Sequence, residues 1–182
     1  KNEKKILLGV GRAGNVIGGG DWAPNRLIPD CIKSTALSKK MEIRNPNSTR
    51  PWQHVLEPLS GYINLAYSLN KNKKLNGEAF NFGPPIKNNF SVLKVIEQMQ
   101  LTWSEIKFRN SKKKNFIKES GLLNLNCNKA KKKLHWSSTL NFSETIEETV
   151  IWYKKFYKIK SLNILELSKK QIFNFISLAK KR

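Results

Sequence analysis

Apolar positions in this chain fall into short runs and into helical stripes, and the two kinds take turns. Ile6-Leu7-Leu8-Gly9-Val10 follows Lys5 and predicts a buried strand over 5–10. The glycine-dense stretch 11–20 then predicts a loop. Leu27, Ile28, Cys31, Ile32 and Ala36, with Pro29 near their start, predict a helix over 27–37. A short strand is expected over 41–44, and a polar turn over 45–50. Leu59, Tyr62, Ile63, Ala66 and Leu69 form one face of a helix over 56–69. Gly77 bounds it, and 78–82 predicts a strand that stops at Gly83-Pro84-Pro85. Ser91 is expected to cap a helix that turns Val92, Val95, Ile96 and Met99 inward. Short strands are expected over 103–108 and 121–125, and a short basic helix over 128–134. Ser143 is expected to cap a helix whose stripe is Ile146, Val150 and Tyr153. Ile172, Phe175, Ile176 and Ala179 mark a basic amphipathic segment near the end. Strands and helices alternate without internal repeats, so the predicted class is α/β.

Composition changes this picture little. The 182 residues suggest about one compact domain, and 18 aromatics supply a core. No apolar run approaches the ~20 residues of a membrane span. The first residues carry no signal-peptide pattern, and two isolated cysteines form no CxxC, so a cytoplasmic setting is expected. Two histidines and two cysteines, all isolated, give no reason to expect a metal. The net charge of +21 invites a nucleic-acid or membrane-surface reading, which predicts salt-sensitive binding to either. Yet only 6 of the 34 basic residues are arginine, and 20 asparagines accompany them. Lysine runs of this kind are read as solvated faces, so neither nucleic acid nor membrane is expected as a partner.

Two motifs mislead. Gly9-Val-Gly-Arg-Ala-Gly14 satisfies G-x-G-x-x-G, but Gly18-Gly-Gly-Asp-Trp-Ala-Pro24 follows where a helix should begin. Tyr67-x-x-x-Lys71 has the dehydrogenase spacing, but Lys71 opens a Lys/Asn run on a surface helix.

The informative segments are Arg12-Ala-Gly-Asn-Val-Ile-Gly-Gly-Gly-Asp-Trp22, Arg26-Leu-Ile-Pro-Asp30, Ile43-Arg-Asn-Pro46, Thr49-Arg-Pro-Trp-Gln-His-Val-Leu-Glu-Pro-Leu-Ser-Gly-Tyr62 and Phe80-Asn-Phe-Gly-Pro84. They read as a polyanion site. Glycines let backbone N–H groups meet oxygens. Asn15 offers an amide, and Arg26, Arg44 and Arg50 offer planar forks suited to phosphate. Trp22 and Trp52 are read equally as pocket wall or core. Plainer readings pair Arg26 with Asp30, bury His54 on a hydrogen bond and pack Cys31 in the core.

In this order the segments closely resemble the C-terminal half of the CDP-glucose 4,6-dehydratases, a family of NAD-dependent extended short-chain dehydrogenase/reductases. The resemblance runs over about 6–157, through Leu123-Asn-Leu-Asn-Cys-Asn-Lys-Ala-Lys-Lys-Lys-Leu-His-Trp136. It implies a chain about twice this long, whose NAD fingerprint, Tyr-x-x-x-Lys pair and elimination acid and base precede Lys1. It also implies a division into residues 1–22, the end of a Rossmann cofactor portion, and 23–157, a substrate portion. Residues 158–182 form a basic tail, expected to be helical. Arg12, Ala13, Asn15 and Val16 would pass the cofactor; Asn15, Arg26, Leu27, Arg44, Arg50, His54 and Asn81 would hold the substrate. No catalytic residue is assigned. The implied activity is NAD-dependent loss of water from CDP-glucose to give CDP-4-keto-6-deoxyglucose, with bacterial surface polysaccharide as its setting. The implied partners are CDP-glucose, the missing N-terminal half and, at full length, further copies. Alone, the chain is expected to be inactive, with exposed apolar surface on its first strand. The alternative is a non-catalytic CDP- or polyanion-binding module, or a truncated pseudogene product.

Overall fold

The computed structural model describes residues 6–86, 89–111 and 125–182. Strand β1 (Val10–Ala13) pairs in parallel with β6 (Ala79–Phe82), Val10 facing Ala79 and Arg12 facing Asn81. Between them in sequence lies α2 (Leu56–Lys71), which covers one face of the pair. The strand expected over 5–10 is displaced. Residues 6–9 lie outside regular structure, with Ile6 and Leu8 exposed. The register follows α2: β-carbons at Gly9 and Gly11 would collide with Leu69 and Tyr62, so the helix seats where glycines admit it.

The expected loop over 11–20 holds most of β1 and all of β2 (Val16–Ile17), which pairs in parallel with β5 (Gln53–His54). This pairing is non-local and left no periodic trace. Two residues also escape the polar turn: β4 (Thr49–Arg50) runs antiparallel to β7 (Phe90–Ser91). Strand β3 (Met41–Ile43) pairs in parallel with β8 (Phe108–Asn110). The strand expected over 103–108 is therefore displaced, sharing only Phe108 with β8, because the Trp103 N–H closes the helix before it by donating to Met99. The expectation for 121–125 lies outside the described residues except at Leu125, which is in no strand.

Helix α1 (Leu27–Ala36) and α3 (Val92–Thr102) appear as expected, and the Ser91 hydroxyl caps α3 by accepting from the Lys94 N–H. Helix α4 (Asn128–Leu134) follows. Helix α5 (Phe142–Lys158) is capped by Asn141 rather than Ser143. Asn141 accepts from the Glu144 N–H, and the Glu144 carboxylate accepts from the Asn141 N–H, satisfying two orphan donors at once. Helix α6 (Ile164–Lys181) closes the chain. None of the helices described is long and apolar enough to cross a membrane.

Two cores result. Helices α1, α3 and α5 bury Cys31, Ile32, Val95, Ile96, Met99, Ile146, Val150 and Tyr153 together. Leu65, Leu69, Phe80, Phe82, Leu134 and Trp136 form a second cluster between α2, β6 and α4, with Cys127 packed against it.

Candidate functional site

At the carboxyl ends of β1 and β2 the chain turns sharply. Asn15 takes a left-handed φ of 48°, tolerated by asparagine better than by most residues. Gln53 fixes that turn. Its side-chain amide donates to the carbonyls of Gly14 (3.0 Å) and Phe82 (2.9 Å), and its backbone N–H reaches the Asn15 carbonyl. Asn15 thereby borders a cavity of about 460 Å³ between the glycine loop, the start of α1, Trp52 and Tyr153. Parallel strands place ligand sites at their carboxyl ends.

Four expected residues line this cavity: Asn15, Val16, Arg26 and Leu27. Arg26 stands at the N-cap of α1 with an exposed side chain. Its guanidinium pairs with Asp21 at 3.0 Å, not with Asp30, because the loop returns Asp21 to the cavity. The Asp30 N–H instead bonds the Arg26 carbonyl, as the first turn of α1 requires. Tyr153 reaches the cavity from α5 and donates its hydroxyl to the Asp21 carbonyl at 2.7 Å. Burial pushes its phenol up to about 12, so at neutral pH it is a donor. The ionisable groups on the wall are thus Asp21, Arg26 and Tyr153. An exposed cation beside an aromatic wall suits binding of an anion carrying a flat or sugar-like body.

The other expected residues stand elsewhere. Arg12 and Ala13 lie on β1, upstream of the cavity, and Arg12 is exposed. Arg44 is exposed just after β3. Arg50 lies on β4 and donates to the Thr49 carbonyl at 2.8 Å. Asn81 donates to the Asn126 carbonyl, leaving its Oδ1 buried without a partner. His54 is 2% exposed; its Nδ1 accepts from the Leu56 N–H at 3.4 Å, and its Nε2 has no partner. Burial lowers its pKa to about 4, so the ring is neutral at pH 7. Trp52 is both core and wall: it is buried, donates to the Phe90 carbonyl and lines the cavity. Trp22 instead packs on α5, with centroids 5.3 Å from Tyr153 and 5.2 Å from Phe156. Tyr67 is exposed, with the Lys71 ammonium 4.4 Å above its ring, a surface pair.

Sequence reasoning missed Asp21, Tyr153, Gln53 and Glu57. Buried Glu57 accepts from the backbone N–H groups of Thr139 and Leu140, anchoring the approach to α5, and burial pushes its carboxyl up. Its partners lie over eighty positions away, and no local pattern announces them.

No family model matches the chain. It is 40% identical over 166 residues, 91% of its length, to CDP-glucose 4,6-dehydratase of Salmonella typhimurium. It spans 46% of that relative, matching its C-terminal part. The aligned stretch is longer than the 157 residues that precede the tail, so the likeness extends into 158–182, further than the motifs suggested. The fold agrees. dTDP-glucose 4,6-dehydratase of Bacillus anthracis, solved with NAD, gives a TM-score of 0.62 at 24% identity, over 81% of this chain and 44% of that one. UDP-glucuronic acid 4-epimerase of Bacillus cereus, solved with UDP-glucuronic acid and NAD, gives 0.66 at 21% identity, over 84% and 46%.

Proposed function

We propose that this chain is the nucleotide-sugar-binding part of a CDP-glucose 4,6-dehydratase. One observation carries the reading. Within the stretch 40% identical to that enzyme, Asn15, Arg26 and Leu27 meet Asp21, Trp52 and Tyr153 around one cavity. Arg26 supplies a charge-assisted fork for a diphosphate. Tyr153 and Asn15 supply neutral hydrogen-bonding groups, and Trp52 an apolar wall. Arg44, Arg50, His54 and Asn81 are assigned to the same substrate by resemblance, as Arg12, Ala13, Asn15 and Val16 are to the cofactor.

The described residues do not form a dinucleotide cradle. Gly9 to Gly14 runs along β1 into the Asn15 turn, with no helix N-terminus behind the glycines to receive a pyrophosphate. This chain's own contribution is therefore to bind and orient the sugar nucleotide. When bound, NAD would supply hydride transfer, and apart from Arg12, Ala13, Asn15 and Val16 the groups that hold it are assigned to the part of the relatives this chain does not span. Strand β1 offers a place for that part. Among the described residues its one strand partner is β6, and Ile6, Leu8 and Val10 are exposed. Parallel sheets are covered on both faces in stable proteins, so β1 and β6 call for further strands and helices. The division at 22/23 is carried over from the resemblance alone: β6, the strand partner of β1, lies in the substrate portion, and Asn15 and Asp21 of the first portion line the cavity.

Titration calorimetry with CDP-glucose tests the reading. The chain binds, and Arg26→Ala weakens binding about tenfold or more, as loss of a charge-assisted contact requires. Equal affinity of the two proteins, or no binding by either, refutes it. With NAD and CDP-glucose together, the chain alone forms no 4-keto product.

A further inference from the structure

Helix α6 carries two apolar stripes, and only one is used. The inner stripe buries Leu167 and Phe175 beside α5, where Ser168 accepts from the Trp152 indole and Gln171 donates to Glu148. The outer stripe is Leu165, Ile172, Phe173 and Ile176, exposed at 62%, 42%, 66% and 42%. At helical spacing these four fall within an arc of about 100°. Lys169 and Lys180 project into the same arc, and Lys170 and Lys181 lie beyond one edge of it. Four lysines stand against one acid, Glu166, which pairs with Lys169 at 2.8 Å. Arg182 is turned away toward Glu144 and the Thr139 carbonyl.

We infer that the outer face of α6 rests on an anionic lipid surface. The charge selects the occupant. A second copy would bring Lys169 and Lys180 of each helix together, on molecules that each carry +21. Nucleic acid would leave four large apolar side chains in water. Lipid satisfies both features: apolar residues enter the acyl boundary while lysine stems follow them and keep their ammonium groups at the phosphates. A convex helix face also suits a deformable surface. The helix lies on the membrane rather than spanning it, in keeping with its mixed composition. This inference is independent of the cavity and of any sugar nucleotide.

The test is sedimentation of the whole chain with vesicles, either pure phosphatidylcholine or an equal mixture with phosphatidylglycerol. Binding is expected to the mixed vesicles only, and to fall with salt. Because the whole chain is cationic, charge alone must be separated from the stripe. Ile172→Ser with Ile176→Ser keeps the charge, changes only half-exposed positions, and is expected to lose about tenfold or more of the vesicle partition. Unchanged circular dichroism shows that the variant has folded. Lys169→Gln with Lys170→Gln is expected to bind more weakly and with a shallower salt dependence. Three results overturn the inference: no binding by the parent; equal binding by the serine variant; or substitutions that alter solution mass or DNA retention while leaving vesicle binding untouched.

Discussion

Gly61→Ala sets two effects of opposite sign against each other, and the structure decides between them. Gly61 lies within α2 and is buried. Alanine in a helix interior is favoured over glycine by about 1 kcal/mol. Space opposes this. A β-carbon at Gly61 would lie 2.6 Å from Phe82 Cε1, 2.7 Å from Cγ and closer still to Cδ1. Phe82 is fully buried, with Trp136 at 5.0 Å and Tyr62 at 5.5 Å, both edge-on. Because the ring is wedged, α2 must lift from β6. Overpacking of this kind costs roughly 1–3 kcal/mol, and three contacts on one rigid ring put it at the upper end. The net effect is a loss of about 1–2 kcal/mol. For a chain of this size that lowers Tm by roughly 2–8 °C. Thermal melts followed by circular dichroism at several scan rates measure it, with Asn70→Ala, an exposed position of the same helix, as the propensity control. An unchanged or raised Tm for Gly61→Ala would refute the reasoning, because propensity would then have outweighed the clash.

Glu57→Ala strips two buried N–H donors of their acceptor and is expected to cost about 2–4 kcal/mol, with Glu57→Gln between it and the parent; urea unfolding that ranks alanine level with the parent removes the anchor role. His54 predicts a pH dependence. Its folded pKa of about 4 lies below its unfolded value of 6.5, so the folded state resists the proton and stability is lost as pH falls through that window. The loss reaches about 3 kcal/mol, and His54→Gln flattens the urea midpoint between pH 6.5 and pH 4; an unaltered slope counts against it. Asn15→Gly keeps the left-handed turn and removes the amide, so Tm holds while CDP-glucose affinity falls; parallel loss of both would make Asn15 purely structural.

Most of the helices were legible because their stripes are local. The apolar spacing of α1, α2 and α3 is carried within each segment, and Ser91 announces its helix. The short strands were not. Strands β2 and β5 are two residues each, too short to show a period, and exist because Gln53 and His54 lie beside Val16 and Ile17. The site was half legible for the same reason. Asn15, Arg26 and Leu27 lie in segments whose glycines and arginines stand out. Tyr153 repeats with Ile146 and Val150 as an ordinary core position, and only packing brings its hydroxyl to Asp21. Arg44 and Arg50 read as phosphate-binding groups by type, but the end of β3 and β4 place them off the cavity wall.

The two cores also give the molecule a pair of internal clocks. Cys31 sits inside the first cluster with no exposed surface and a thiol pushed up to about 12. Cys127 lies half-buried against the second. Neither thiolate forms readily while its cluster is closed, so the rate at which a thiol reagent labels each reads the opening of its own cluster. If the clusters open together, the labelling rates of Cys31 and Cys127 keep a fixed ratio as urea rises. If α2, β6 and α4 open first, Cys127 runs ahead, and the chain is two cooperative units linked by short strands.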